Sequence, residues 1–182
     1  MATIYLVRHG RAAAGWDADP DPGLHDEGHE QARAMAAKLA PKGPLALLSS
    51  PMQRARETAA PLAVAWDLAP LIEPRVTEIP SPTPDLAERG RWLREIATRR
   101  WSELDGPVLR WRDQLLAALA EIERDSVVVS HFMVINAAAG VAIGDDRVVH
   151  FRPDYCSVTV LRNDGGRLQL VELGSEAQTR VL

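Results

Sequence analysis

The chain has 182 residues, of which 46% are hydrophobic and 25% charged, and its formal net charge is −4. This length fits one domain with a full hydrophobic core, and the net charge excludes a nucleic-acid binder of the basic type. A lone cysteine, Cys156, excludes an intramolecular disulfide and fits a reducing compartment. No apolar stretch approaches the ~18 residues of a membrane span, and no basic segment typical of a signal peptide precedes the first apolar run. We therefore expect a cytoplasmic protein without a membrane partner.

The first elements in chain order are a strand, a loop and a helix. Apolar and β-branched residues predict a strand over Thr3–Val7. Two Asp-Pro pairs predict a loop over Arg11–Asp26. Apolar residues at helical spacing predict a helix over about 27–40, with His25 or Asp26 as its cap.

The next elements repeat this alternation. An apolar run predicts a strand over Leu45–Ser49. A helix is expected to follow as far as about Trp66, with Ser50 as its N-cap and Pro51 in its first helical position. The segment Pro70–Val76 contains prolines and is predicted to be a short strand at a sheet edge.

The second half of the chain begins with helices and ends with strands. Periodicity predicts two helices in succession, then a buried strand, a further helix and a final hairpin. These elements are expected over 85–104, 108–124, 126–129, 133–142, and 157–162 with 167–173.

This order of elements predicts an α/β fold, a three-layer α/β/α sandwich with a mostly parallel mixed sheet and helices on both faces. No linker divides the chain, so we expect a single domain over 1–182. The segment 79–106 is the one candidate for a lid or insert over a site.

Polar residues follow several of the predicted strands at the point where each ends. Arg8 and His9 follow the first strand, Arg54 lies early in the helix after the second, Glu78 follows the third, and His131 follows the buried strand. Ligands in open α/β sheets bind beyond the carboxyl ends of the strands, so we expect these side chains to meet at one rim.

Together these residues have the chemistry of phosphoryl transfer. That reaction needs positive charge around the phosphoryl oxygens and an in-line nucleophile. Arginine binds phosphate through two donors and keeps its charge, histidine can act as the nucleophile, and a carboxylic acid of raised pKa can protonate the leaving oxygen.

The motifs "LVRHG", "LLSSPMQRARETA", "TEIP" and "VVVSHFMVINA", in this order, resemble the histidine phosphatase superfamily in its phosphoglycerate mutase-like branch. The resemblance implies that His9 is the phosphorylated nucleophile and that Arg8 and Arg54 hold the phosphate. It further implies that His131 completes the pocket, that Glu78 acts as the general acid, and that neither a metal nor another cofactor is needed. The partner it implies is a small phosphorylated substrate.

The chain departs from the family pattern at two places. Arg11 stands where Glu or Gln is usual, and it either adds a cation to the phosphate-binding set or points into solvent. Phe132 and Met133 follow the second histidine where Gly is usual, and they either narrow the pocket or pack beneath it.

The resemblance leaves several functions open. The leading prediction is a metal-independent phosphomonoester hydrolase that acts through a phosphohistidine on His9. The alternative is a phosphohistidine-protein phosphatase, a class that tends to lack the acid supplied here by Glu78. A mutase is disfavoured because the chain is short and "TEIPSPTPD" replaces the usual stretch after the acid. A phosphate-binding protein without turnover and a homodimer both stay open.

Overall fold

A computed structural model describes residues 1–15 and 18–177. Its strands form one six-stranded sheet, and they are β1 (Ala2–Arg8), β2 (Ala46–Ser49), β3 (Leu71–Ile72), β4 (Ser126–Ser130), β5 (Val158–Asp164) and β6 (Arg167–Glu172). Their order across the sheet is β3-β2-β4-β1-β5-β6. The first four strands in that order run parallel, and β5 and β6 are antiparallel. The predicted mixed, mostly parallel sheet is confirmed.

Helices cover both faces of this sheet, and they are α1 (Asp26–Leu39), α2 (Gln53–Trp66), α3 (Leu86–Ile96), α4 (Gly106–Ala120) and α5 (Phe132–Ile143). Side chains alternate along β4, so Val128 packs with the cluster formed by α3, α4 and α5. Val127 and Val129 pack with the cluster formed by α1 and α2. The two apolar clusters produce the predicted three layers. No helix in the described ranges is long and apolar enough to cross a membrane.

The predicted edge strand over Pro70–Val76 is shorter than expected. Only Leu71–Ile72 pairs with β2, and a 3-10 turn over Pro74–Val76 follows it. Pro74 has no N–H to donate to a sheet ladder, so the strand ends before it. The Glu73 carboxylate accepts from the Arg75 backbone N–H at 3.0 Å and stabilises the turn in its place.

Both helices of the segment before β4 also end earlier than predicted. The helix expected to reach 104 ends at Ile96, because the chain around Arg99 turns to pair with the loop before β5, and Val148 N–H donates to the Arg99 carbonyl at 3.0 Å. The helix expected to reach 124 begins at Gly106 and ends at Ala120. By contrast, His25 caps α1 as predicted, since its Nδ1 accepts from the Glu27 N–H.

The side chain of Asn163 explains where α4 ends. Asn163 is buried in β5, and its Nδ2 donates to the carbonyls of Ala120 at 2.7 Å and Ile122 at 2.8 Å. Its Oδ1 accepts from the Gly166 N–H in the hairpin turn. One amide therefore satisfies carbonyls that the end of α4 leaves without helical partners and joins this helix to the final hairpin.

Replacing this amide tests its contribution to stability. We expect Asn163→Ala to lower the free energy of unfolding by about 2–3 kcal/mol, because buried carbonyls lose their donors. Urea denaturation measures the change. Asp164→Ala, at the exposed neighbouring position, is the control and should change it by less than about 0.5 kcal/mol. Equal effects in both variants would contradict this role for Asn163.

Candidate active site

The parallel pairing of β1 with β4 brings two histidines together. Arg8 pairs in register with Ser130, so the residues that follow each strand, His9 and His131, lie at the same edge of the sheet. Their ring centroids are 5.2 Å apart, and the rings are tilted by 59°. Both side chains are buried.

Arg54 reaches this edge from the first turn of α2. Its Nε donates to Nε2 of His9 at 3.3 Å, and the guanidinium is only 1% exposed. The helix does not begin as predicted, because Met52 rather than Ser50 is its N-cap. The Ser50 hydroxyl is hydrogen-bonded to His131 Nε2 at 2.7 Å and also accepts from the Met52 N–H at 3.3 Å. Asp21, from the loop after β1, accepts from the Gln53 N–H at 2.8 Å and occupies the helix terminus.

Glu78 arrives from the segment that follows β3. Two side chains tie the backbone before it to the rest of the fold: Ser130 Oγ donates to the Val76 carbonyl at 2.7 Å, and Trp111 Nε1 donates to the Thr77 carbonyl at 3.1 Å. The Glu78 carboxyl is buried, and its Oε1 accepts from the Ile79 N–H at 3.0 Å. The structure therefore brings together all five polar residues that follow the strands.

The hydrogen bonds of His9 define which of its nitrogens is free to react. Nδ1 lies 2.7 Å from the Gly10 carbonyl, an acceptor, so Nδ1 carries the proton. Nε2 accepts from Arg54 and holds the lone pair. Burial lowers the pKa of His9 well below its usual value, and the charges on Arg54 and Arg8 lower it further. The imidazole is thus neutral, and its Nε2 faces the Arg54 guanidinium.

Several buried polar atoms of this cluster have no hydrogen-bond partner in the described part of the chain. They are Arg8 Nε, Arg54 Nη2, Glu78 Oε2 and His131 Nδ1. Buried polar groups are almost always paired in folded proteins. An oxyanion bound among them would accept from the arginines, so the cluster fits a small anion.

The two remaining titratable groups are shifted in opposite directions by the same burial. Burial lowers the pKa of His131 well below its usual value, and the charges on Arg54, His9 and Arg8 act in the same direction. Burial raises the pKa of Glu78, against the opposing hydrogen bond from Ile79 and the charges on Arg54 and Arg8. A neutral Glu78 is a proton donor.

Comparison with known proteins identifies this arrangement. The family model of the histidine phosphatase superfamily (branch 1) matches residues 4–176. The chain belongs to this superfamily. A PE-PGRS family protein of Mycobacterium tuberculosis, PE_PGRS11, is 45% identical over 82 residues, which are 42% of this chain and 14% of that protein. Rv0525 of the same species is 40% identical over 79 residues, 41% of this chain and 39% of that protein. The match thus spans well under half the length of these curated relatives.

Solved structures share the fold of this member of the histidine phosphatase superfamily. Mycobacterial glucosyl-3-phosphoglycerate phosphatase Rv2419c, in complex with VO3, has a TM-score of 0.73 and 21% identity, covering 97% of this chain and all of that chain. A phosphoserine phosphatase variant from Entamoeba histolytica in complex with phosphoserine has a TM-score of 0.74 and 19% identity, covering 96% of this chain and 98% of that chain. Both neighbours are named phosphatases.

The structure does not bring Arg11 into this cluster. Its side chain is 50% exposed, and Nη1 lies 2.5 Å from the Glu27 carboxylate. A carboxylate partner at the surface competes with phosphate for the guanidinium. The prediction that Arg11 binds the substrate phosphate therefore has no support from its position.

Gly10 has a different role from the one its place beside His9 suggests. A Cβ at Gly10 would lie 2.6 Å from the Gly28 carbonyl oxygen of α1, and a Cβ at Gly28 would lie 2.2 Å from the Arg11 carbonyl oxygen. The two glycines allow the loop after β1 to pack directly against α1. The Gly10 N–H then donates to Thr58 Oγ1 at 2.9 Å.

Sequence reasoning missed three side chains at the edge of this cluster. Ser50 binds His131, Tyr155 places its ring 4.1 Å from the Arg8 guanidinium carbon, and Arg89 of α3 adds a third cation. Arg89 is half-buried, its Nε has no partner in the described ranges, and its charge lowers the pKa of Arg54. The serine of the "SSP" motif was available as a signal, but no local pattern marks Arg89 or Tyr155.

Residues 1–15 and 18–177 contain no group of three or more His, Cys, Asp or Glu side chains arranged to hold a metal ion.

The protonation of Glu78 has a measurable effect on stability. Because its pKa is raised, the folded protein keeps this proton where the unfolded chain has released it. Its contribution is full below the ordinary Glu pKa of about 4.3 and is lost as the pH rises through the folded pKa. We therefore expect the free energy of unfolding of Glu78→Gln, minus that of wild type, to increase between pH 5 and pH 8. Urea denaturation of both proteins across this range measures the difference.

Both proteins retain His9 and His131, so the titration of these two groups cancels in the difference between Glu78→Gln and wild type. A difference that stays flat between pH 5 and pH 8 would mean that the arginines keep the Glu78 carboxylate ionised in the folded protein, contrary to the raised pKa.

Proposed function

We propose that this histidine phosphatase is a metal-independent phosphomonoesterase that works through a phosphohistidine on His9. The observation that carries the proposal is the state of His9. Its Nδ1 proton is held by the Gly10 carbonyl, and its Nε2 lone pair lies among buried guanidinium groups with unpaired donors. A neutral imidazole beside cations is a nucleophile positioned to react with a bound phosphate.

In the first step, His9 Nε2 attacks the phosphorus and the bond to the ester oxygen breaks. Arg8 and Arg54 bind the phosphoryl oxygens, and His131 contacts the transferring group. Neutral Glu78 gives its proton to the leaving oxygen, which departs as an alcohol. The phosphoryl group is then bound to His9 Nε2, and Glu78 is a carboxylate.

In the second step, the Glu78 carboxylate takes a proton from water as the water oxygen attacks phosphorus. The bond between phosphorus and His9 Nε2 breaks, inorganic phosphate leaves, and His9 and Glu78 return to their starting states. The raised pKa of Glu78 supports this exchange of roles, since burial favours the protonated form of the acid before each turnover.

The burial of the cluster favours a small phosphorylated substrate over phosphohistidine on a folded protein. His9 is 3% exposed and Glu78 is 5% exposed. For phosphohistidine on a folded protein to react here, the backbone of that protein would have to approach these buried side chains closely. Glu78 also supplies a proton donor for an alcohol leaving group.

Trapping the intermediate tests the proposal. Wild type mixed with p-nitrophenyl phosphate and quenched in base should carry one phosphate on His9, because phosphohistidine survives alkali. His9→Ala should carry no trapped phosphate, and its kcat should be lower by at least about 10³-fold. Glu78→Gln should lose about 10²–10⁴-fold, with the larger loss for leaving groups of high pKa.

Arg11→Ala is the matched arginine control for the trapping experiment, and it should stay within about twofold of wild type because its charge is already paired. Hydrolysis by His9→Ala at the wild-type rate would contradict the phosphohistidine. Activity that disappears with a chelator would contradict the metal-independent mechanism.

The position of Arg89 bears on the substrate. Its charge adds to that of Arg8 and Arg54, and its unpaired Nε favours a second anionic group on the substrate. Two neighbours support this: their names specify phosphoserine and glucosyl-3-phosphoglycerate, and both molecules carry a carboxylate beside the phosphate ester.

A pair of substrates isolates this preference. 3-Phosphoglycerate has a carboxylate at the position where glycerol 3-phosphate has a hydroxymethyl group. We expect wild type to prefer the first, and Arg89→Gln to lower that kcat/KM ratio about tenfold, as for a charged hydrogen bond. Arg91→Gln, at an exposed position of the same helix, should leave the ratio unchanged. An unchanged ratio in Arg89→Gln would contradict the role.

A further inference from the structure

Arg8 is a buried cation with an unusual set of neighbours. The guanidinium is 2% exposed, and its Nη1 donates to the Pro153 carbonyl at 2.8 Å. In the described part of the chain it forms no ion pair with a carboxylate within 4.0 Å. Its close contacts are instead two aromatic rings: the guanidinium carbon lies 4.1 Å from the ring centroid of Tyr155 and 5.3 Å from that of Phe132.

Aromatic contacts suit a cation that must bind an anion. A guanidinium within about 6 Å of a ring centroid is attracted by the ring's negative face. Unlike a carboxylate, a ring neither cancels the charge nor occupies the N–H donors. The two rings can therefore orient Arg8 while its Nε stays without a protein partner.

Helix α5 and a backbone hydrogen bond place the two rings beside Arg8. Phe132 is the first residue of α5, directly after His131, and is fully buried. Tyr155 precedes Cys156, a non-glycine residue with φ of +55°. The Cys156 N–H donates to the Arg8 carbonyl at 3.0 Å, which returns the chain to the end of β1. The Tyr155 ring then lies 6.2 Å from that of His9.

We propose that Tyr155 and Phe132 form an aromatic clamp that positions the Arg8 guanidinium for phosphate. They are positioning residues, because they act through Arg8 rather than on the phosphate. The clamp assigns a role to Phe132, one of the two residues that replace the usual glycine after the second histidine. It rests on the proposed function only in its kinetic readout, since phosphate affinity can be measured without turnover.

The test compares variants of the more exposed ring. Tyr155→Leu removes the ring, Tyr155→Gln removes it with a polar side chain, and Tyr155→Phe keeps it. Tyr5→Leu is the matched control, because Tyr5 contacts a different cation, Lys42, at 5.3 Å. Titration calorimetry with inorganic phosphate gives the dissociation constant, and p-nitrophenyl phosphate gives kcat and KM.

We expect Tyr155→Leu and Tyr155→Gln to weaken phosphate binding about five- to tenfold and to raise KM by a larger factor than they lower kcat. Tyr155→Phe should stay within about twofold of wild type. Tyr5→Leu should bind phosphate as wild type does. Thermal melts establish which variants fold, and either ring-less variant at position 155 suffices for the comparison.

Two results would overturn the clamp. One is wild-type phosphate affinity in a folded Tyr155→Leu or Tyr155→Gln, which would show that the ring does not hold Arg8. The other is an equal loss in Tyr155→Phe, which would assign the effect to the hydroxyl. A protein whose phosphate affinity depends on the Tyr155 ring, but which hydrolyses no phosphomonoester, would contradict the proposed function and support the clamp.

Discussion

The cluster depends on one constraint: a neutral imidazole is buried against two guanidinium groups. Burial and the nearby positive charge both disfavour a proton on His9 Nε2. The Gly10 carbonyl holds the remaining proton on Nδ1, so the tautomer follows from a backbone contact. The same burial raises the pKa of Glu78, so it favours the neutral form of this carboxyl as well as that of the imidazole.

Such a cluster costs stability, because buried cations and unpaired polar atoms are unfavourable in the absence of a ligand. The surrounding fold offsets this cost through two packed apolar clusters on either face of the sheet. The groups that contact each arginine also decide whether its charge stays available to a ligand. Rings and a carbonyl hold Arg8, whereas Arg11, at the surface, is paired with a carboxylate. The first arrangement preserves a cation for an anionic ligand and the second does not.

Two further charged side chains, one on each side of the cluster, carry opposite charges. Asp21 lies 3.9 Å from Arg54 Nη1 and accepts from the Gln53 N–H at the start of α2, so the loop after β1 places a carboxylate near Arg54. Arg89 on α3, within the segment 79–106, places a cation whose charge lowers the pKa of both Arg54 and His131. A substrate therefore meets opposite charges from the two segments.

The sequence by itself determined the α/β class and brought His9, His131, Arg54 and Glu78 to one rim, because strand periodicity and the parallel-sheet rule need no tertiary contact. Its errors were at element ends, and it left open whether Arg11 joins the phosphate-binding set or points into solvent. Helix α2 begins after Met52, where the Asp21 carboxylate accepts from the Gln53 N–H, and α4 ends where Asn163 meets its carbonyls. Only the tertiary structure decided these, along with the partners of Arg8, since each contact joins residues distant in the chain that no local pattern relates.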